Sequence, residues 1–121
     1  MPLMRSLAEL LAAHCRPLAG HAALTMTQSE AQLAVLPDGR LVDGAIRRTY
    51  RFADYYDTIA LVNARAHMVH REDHHPERVV GYDRCEVRFD TRSVRGVSEN
   101  DFICAAKADA IFDQRYGDAA A

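Results

Sequence analysis

The sequence lacks the features that mark several broad classes of protein. It has no excess of charge of one sign, because 15 basic and 17 acidic residues leave a formal net charge of −2. We therefore expect no bulk attraction to nucleic acid or to anionic membranes. The three cysteines, Cys15, Cys85 and Cys104, are an odd number without CxxC spacing, which predicts free thiols in a reducing, cytoplasmic setting. No apolar run approaches the roughly 20 residues that span a membrane.

The remaining composition is typical of a soluble globular domain, with 49% hydrophobic and 26% charged residues in a chain of 121. This length supports one hydrophobic core but not two. We predict an N-terminal extension over residues 1–22, a single domain over residues 23–115 and a frayed tail over residues 116–121. In the extension, leucines at positions 3, 7, 10 and 11 indicate a short amphipathic helix or a poorly ordered segment, and a targeting role stays open.

The first half of the domain contains a helix, a hairpin and a longer helix. Thr27 or Ser29 is expected to cap the first helix, and Asp43-Gly44 predicts a two-residue turn between strands at 40–42 and 45–52. Asp54 is expected to cap the longer helix. Its apolar residues step by four and three, as in a helix that lies on a sheet; they are Tyr55, Ile59, Val62, Ala66 and Val69.

The second half repeats the pattern of two strands and a helix. Residues 79–82 form a short predicted strand, and Cys85, Val87 and Phe89 alternate with charged residues in a half-solvated strand. Ser98 then begins the last helix. The order α-β-β-α-β-β-α predicts an α+β fold, in which helices pack on one face of a four-stranded antiparallel sheet.

Histidines concentrate in the segment His67–Pro76, which holds four of the six in the chain. Imidazole titrates near neutral pH and is both a common general acid or base and a common metal ligand. Pro76 restricts the residue before it to extended geometry, so the helix should end near Asp73 or His74. We therefore expect His74 and His75 to lie where the helix gives way to a strand, with side chains able to point into a cleft.

The residues around this segment share the spacing of a known family. His-His-Pro at 74–76 follows His70 by four residues and precedes Tyr82, the alternating strand, Thr91 and Gly96. The sequence Ser-Glu-Asn-Asp-Phe at 98–102 then begins the last helix. Over residues 24–112 the chain resembles the pterin-4a-carbinolamine dehydratases, and the element order derived above agrees with that resemblance.

The resemblance implies a 4a-hydroxytetrahydrobiopterin dehydratase of pterin recycling. Such an enzyme removes water from a 4a-hydroxytetrahydropterin to give the quinonoid dihydropterin, without metal or organic cofactor, and assembles as a homodimer or homotetramer. The implied catalytic residues are His74, His75 and Asp101. The implied substrate-binding residues are His70, Pro76, Thr91 and Arg92.

Dehydration requires a proton for the leaving hydroxyl and removal of a proton from N5 of the ring, which groups with a pKa near the working pH do best. We expect His75 to be the principal acid and base, and His74 to bind the pterin edge and share the proton transfer. Asp101 also has a structural explanation, because its carboxylate can cap the helix at Ser98.

One departure from the family leaves a second function open. Arg92 stands where the family has a third histidine, and Ser93 stands where an acid follows it. Arginine stays protonated and cannot exchange a proton near neutral pH. Arg92 is then either a fixed cation in an active site or the mark of a weakened member that acts as a binding, dimerisation or assembly protein, as some relatives do.

Metal binding is a third possibility. His67, His70 and His74 are spaced i, i+3 and i+7, with Asp73 close by, and could share one helix face.

Overall fold

The structure is a computed structural model that describes the backbone of residues 5–120 and the side chains of residues 5–114. The described elements are α1 (Leu7–Ala12), α2 (Met26–Leu33), β1 (Arg40–Val42), β2 (Ala45–Arg51), α3 (Tyr55–Glu72), β3 (Glu77–Val80), β4 (Arg84–Phe89) and α4 (Glu99–Ala120), with a 3₁₀ turn at Arg92–Val94. From α2 onward this is the predicted order, and the α+β class is confirmed. Among these helices, none has both the length and the apolar character needed to cross a membrane.

The four strands form one antiparallel sheet in the order β1-β2-β4-β3. Asp43 and Gly44 join β1 to β2 with φ angles of 49° and 74°, the positive values that a two-residue hairpin turn requires. The predicted turn is therefore confirmed. β2 and β4 form the centre of the sheet, so β1 and β3 are its edge strands.

One face of the sheet is buried under helices. Cys85, Val87 and Phe89 of β4 are fully buried, whereas Arg84 is exposed and Arg88 is half-buried. This confirms the alternation predicted for β4, since successive residues of a strand point to opposite faces. The buried face packs against α3 and α4 in a single core.

Helix α3 has the predicted ends but only part of the predicted buried face. The Asp54 side chain accepts the Asp57 N–H at 2.9 Å, and the helix ends at Glu72 before the left-handed Asp73. The predicted apolar face is right only in part, because Val69 is buried and Val62 packs against the core, whereas Tyr55 is 51% exposed. The residues that α3 buries are Thr58, Leu61, Arg65, Val69 and Glu72.

The buried face of α3 contains an arginine. Arg65 is 1% exposed, and its Nη2 lies 3.8 Å from the Cys85 sulfur. Two other guanidinium nitrogens, Nε and Nη1, have no hydrogen-bond partner in the described residues. Apolar periodicity cannot detect a face that buries a charged side chain in this way.

The cap of α2 also differs from the prediction. Thr25, and not Thr27 or Ser29, is the N-cap: its hydroxyl accepts the Gln28 N–H, and the Gln28 side chain accepts the Thr25 N–H in return. Ser29 is buried inside the helix. The reciprocal pair satisfies two orphan backbone donors at once, which explains why the helix begins earlier.

The N-terminal segment is helical over Leu7–Ala12 and is capped by Ser6. Leu10 is fully buried in the core, and α1 packs on α4, while Leu3 lies outside the described residues. Helix α4 extends to Ala120. The domain boundaries at residues 22 and 115 stay predictions.

Candidate functional site

A cavity of about 260 Å³ lies where the end of α3 meets the beginning of α4. Residues 72–74 line one side, and Thr91 and Ser93 of the loop after β4 line another. Asn100 of α4 and residues 15–18 of the N-terminal segment complete it. A larger depression of about 420 Å³ on the sheet is lined by Asp38 and Glu86 but by no histidine, whereas the smaller cavity is lined by His74.

The two neighbouring histidines diverge after α3. The His74 side chain is 12% exposed and lines the cavity, whereas His75 is exposed and is not part of the lining. Asp73 is left-handed with φ of 51°, and the chain has no helical structure from there to Pro76. Consecutive side chains of an extended chain point to opposite sides, so only one imidazole can face inward.

Asp101 is the partner of the inward histidine. His74 Nε2 lies 2.5 Å from Asp101 Oδ1, and Asp101 is 0% exposed. Its second oxygen, Oδ2, accepts the Ser98 N–H at 2.8 Å. The carboxylate therefore caps α4 and holds His74 at once, so the two roles expected for it are compatible.

A chain of hydroxyls supports the same carboxylate. The Thr91 hydroxyl donates to Asp101 Oδ2 at 2.8 Å. Because that hydroxyl has one proton, the Ser98 hydroxyl donates in the contact of 2.5 Å between Thr91 Oγ1 and Ser98 Oγ. Ser98 Oγ in turn accepts the Asn100 N–H at 3.2 Å. These bonds fix the orientation of the carboxylate toward His74.

The loop after β4 presents Thr91 inward and Arg92 outward. Thr91 N–H donates to the Gly96 carbonyl at 2.7 Å, and this bridge closes the loop. Thr91 is buried, and Arg92 is exposed at the start of the 3₁₀ turn. Ser93 lines the cavity, but Arg92 does not.

The structure thus brings together three of the predicted site residues, His74, Asp101 and Thr91. Pro76 is half-buried at the turn into β3. The other three predicted residues, His70, His75 and Arg92, are exposed and lie outside the cavity lining. Their assignment to catalysis or substrate binding stays a prediction.

The metal alternative receives no support from the described side chains, which contain no group of three or more His, Cys, Asp or Glu residues that could hold a metal ion. The physical reason is the end of α3 at Glu72. His74 lies beyond it and does not share a helix face with His67 and His70.

Sequence reasoning missed Glu72, a buried carboxylate beside the site. Its Oε1 accepts the Cys15 N–H at 2.8 Å, and its Oε2 lies 2.9 Å from His14 Nδ1 and 3.1 Å from Lys107 Nζ. Burial alone would raise the pKa of the Glu72 carboxyl, but these hydrogen bonds and the Lys107 charge outweigh it and lower the pKa to about 2. No local pattern could reveal this residue, because its partners are more than 30 residues away.

The pairing of His74 with Asp101 suits proton transfer. A carboxylate that accepts from one imidazole nitrogen holds the ring in one tautomer and stabilises its protonated form. Since Nε2 contacts Asp101, Nδ1 is the nitrogen left to exchange a proton with a ligand.

Comparisons with known proteins show which family the chain resembles in sequence and in fold. The sequence model of the family described as "Pterin 4 alpha carbinolamine dehydratase" matches residues 22–111. A protein from Xanthomonas campestris pv. campestris is 52% identical, over 92% of this chain and 97% of its own. One from Nitrosomonas europaea is 47% identical, over 90% of this chain and 98% of its own. Both are provisionally named pterin-4-alpha-carbinolamine dehydratases.

A solved structure shares the fold. The crystal structure of a "transcriptional coactivator/pterin dehydratase" from Brucella melitensis is 33% identical to this chain. The two structures superpose with a TM-score of 0.71, and the matched region covers 74% of this chain and 97% of the Brucella chain. The family match over the domain and the two relatives at about half identity show that this chain belongs to the pterin-4-alpha-carbinolamine dehydratase family.

Proposed function

We propose that this chain catalyses the loss of water from a 4a-hydroxytetrahydropterin, with His74 as the principal acid and base. The observation that carries the proposal is the contact of 2.5 Å between His74 Nε2 and the buried Asp101 carboxylate at a cavity of about 260 Å³. Membership of the dehydratase family supports the same substrate class.

The reaction needs only proton transfers. Protonated His74 donates from Nδ1 to the 4a-hydroxyl, the C4a–O bond breaks with its electrons on oxygen, and water leaves. The N5 lone pair forms the new N5–C4a double bond, and a base then takes the N5 proton. Asp101 stabilises the His74 cation before the donation. His74 is neutral after that donation and can itself accept the N5 proton, which restores the starting state.

The two histidines exchange the roles that the sequence suggested. The inward, carboxylate-paired His74 suits proton transfer, whereas the exposed His75 suits a secondary contact with the ligand or a proton exchange with solvent. His70 and Arg92 are exposed as well, and we retain them as candidate contacts for parts of the substrate that extend beyond the cavity.

The test is the dehydration rate on freshly generated 4a-hydroxypterin, measured above the rate without protein. We expect His74→Ala to lose roughly 10²–10⁴ of the rate enhancement, the range for one positioned acid or base, and His75→Ala to lose much less. Arg92→His, which restores the family residue, should match or exceed wild type. A larger loss in His75→Ala than in His74→Ala would reject the assignment.

A second function, binding without turnover, is favoured by the exposed Arg92 at the position of the family's third histidine. The Brucella protein is also described as a transcriptional coactivator. Titration with an oxidised pterin separates the two functions. Saturable binding without dehydration indicates a weakened enzyme, and no saturable binding indicates a scaffold that acts through protein partners.

We also propose that the protein self-associates through the edge strand β3 and through the exposed face of α3 that carries Tyr56. Val79 of the edge strand β3 is 62% exposed, and Tyr56 and Tyr82 are 81% and 70% exposed. An edge strand can pair with the same strand of a second copy around a two-fold axis. Sedimentation should show a dimer or tetramer for wild type and dissociation for Val79→Lys, while Val42→Lys at a half-buried position of the opposite edge strand β1 is the control. A monomeric wild type would contradict the proposal.

A further inference from the structure

Residues Ala13–Leu18, which we call the arm, run from the end of α1 across the candidate site. Four arm residues, 15–18, line the same cavity as His74 and Thr91. The arm precedes the region 22–111 that matches the family. Nothing in that match therefore accounts for its place at the site.

Glu72 holds the first half of the arm. Its side chain is 5% exposed, and Oε1 accepts the Cys15 backbone N–H at 2.8 Å. The same carboxylate is also held by Lys107 of α4 at 3.1 Å. Because Glu72 is the last residue of α3 and lies two residues before His74, the arm is tied to the chain just before the proposed acid and base.

Asn100 holds the second half through two hydrogen bonds. Its Oδ1 accepts the Arg16 N–H at 3.1 Å, and its Nδ2 donates to the Arg16 carbonyl at 2.7 Å. Asn100 is 6% exposed and directly precedes Asp101. Both backbone groups of one arm residue are thus satisfied by a side chain next to the partner of His74.

Buried leucines at both ends of the arm also hold it in place. Leu10 before the arm is fully buried, and Leu18 at its end is 6% exposed. Between them, the Cys15 sulfur lies 3.4 Å from the Cys104 sulfur on α4. The arm is therefore fixed along its length, which distinguishes it from a loose covering segment.

We propose that the arm is a fixed wall of the pterin site and that Glu72 and Asn100 are the positioning residues that hold it. This inference rests on the proposed dehydratase function. A wall contacts the substrate and the transition state alike, so its loss should raise KM and leave kcat nearly unchanged. A residue with only a structural role would lower stability without changing KM.

The test compares two ways of releasing the arm with one matched control. Glu72→Leu/Lys107→Met replaces a buried ion pair by apolar side chains and removes the Cys15 contact. Lys107→Met removes the ion pair and keeps that contact. Asn100→Ala releases Arg16 independently. We expect the double variant and Asn100→Ala each to raise the Kd for an oxidised pterin, and the KM for the 4a-hydroxypterin, by up to roughly tenfold, about the effect of one strong hydrogen bond. Lys107→Met should leave both constants within about twofold, because Glu72 still accepts the Cys15 N–H.

Cys15 supplies a readout that does not depend on activity. A maleimide should label it selectively, because Cys85 and Cys104 are fully buried and Cys15 is half-buried at the cavity. We expect saturating pterin to slow the labelling of wild type, and the two releasing variants to be labelled faster than wild type without pterin.

The outcomes separate the wall from the function. Saturable pterin binding without protection of Cys15, or with Kd unchanged in both releasing variants, would refute the wall and leave the dehydratase proposal standing. Absence of saturable binding to wild type would refute the proposed function and, with it, the wall. A lower melting temperature without a change in KM would show that Glu72 and Asn100 have only a structural role, which would refute the wall.

Discussion

The substitution Asp101→Asn tests whether the carboxylate controls the proton on His74. The asparagine has the same shape, and its oxygen can still accept the Ser98 N–H and the Thr91 hydroxyl, so the cap of α4 should survive. Its amide nitrogen then faces His74 Nε2 and donates to it. That arrangement moves the imidazole proton to Nδ1, the nitrogen that must accept the proton from the substrate.

The expected loss follows from the contact that is removed. A hydrogen bond between an imidazolium and a buried carboxylate contributes about 1.5–3 kcal/mol, which is a factor of roughly 10–150 in rate. We therefore expect kcat to fall about 100-fold with little change in KM.

The assay is the dehydration rate above the spontaneous reaction between pH 5 and pH 9. Ser98→Ala is the control, since it removes the hydroxyl that accepts the Asn100 N–H and keeps the carboxylate. Loss of this cap should cost about 1 kcal/mol of stability and far less rate than Asp101→Asn. An Asp101→Asn protein that is folded and active at the wild-type rate would refute the catalytic role of the contact between His74 and Asp101.

Three further predictions concern stability. The pKa of Glu72 is lowered from 4.5 to about 2, a shift that corresponds to roughly 3 kcal/mol, which we reduce to about 1–2 kcal/mol for solvent screening. This stabilisation is present above pH 4.5 and is lost as the pH falls toward 2. The free energy of urea unfolding should therefore depend less on pH in Glu72→Gln than in wild type across that window, and an equal dependence would contradict the assignment. Arg65→Met should raise the unfolding free energy by about 1–2 kcal/mol because it removes a buried cation with two unpartnered nitrogens, and a lower urea midpoint would contradict this. Gly96→Ala places a Cβ 3.0 Å from the Ala23 Cβ and should cost about 1 kcal/mol, whereas a melting temperature equal to wild type would show that the contact relaxes freely.

Much of the fold could be predicted because its signals are local. The Asp43-Gly44 turn, the Asp54 cap and the alternation of Cys85, Val87 and Phe89 each depend on a few adjacent residues. The end of α3 before Pro76 depends on backbone sterics in the same way. The buried face of α3 could not be predicted, because Arg65 is buried by contacts with the sheet that no helical pattern contains.

The candidate site could likewise be predicted only in part. By itself, the sequence determined the element order, the family resemblance and the candidate site residues that this resemblance implies, since these depend on residue type and spacing. Only the tertiary structure decided which histidine faces inward, that Asp101 both caps α4 and holds His74, and that the N-terminal arm reaches the cavity. The physical reason is that orientation and long-range contact arise when α3, α4 and residues 13–18 pack together, and hydrogen bonds between residues far apart in the chain then select one arrangement.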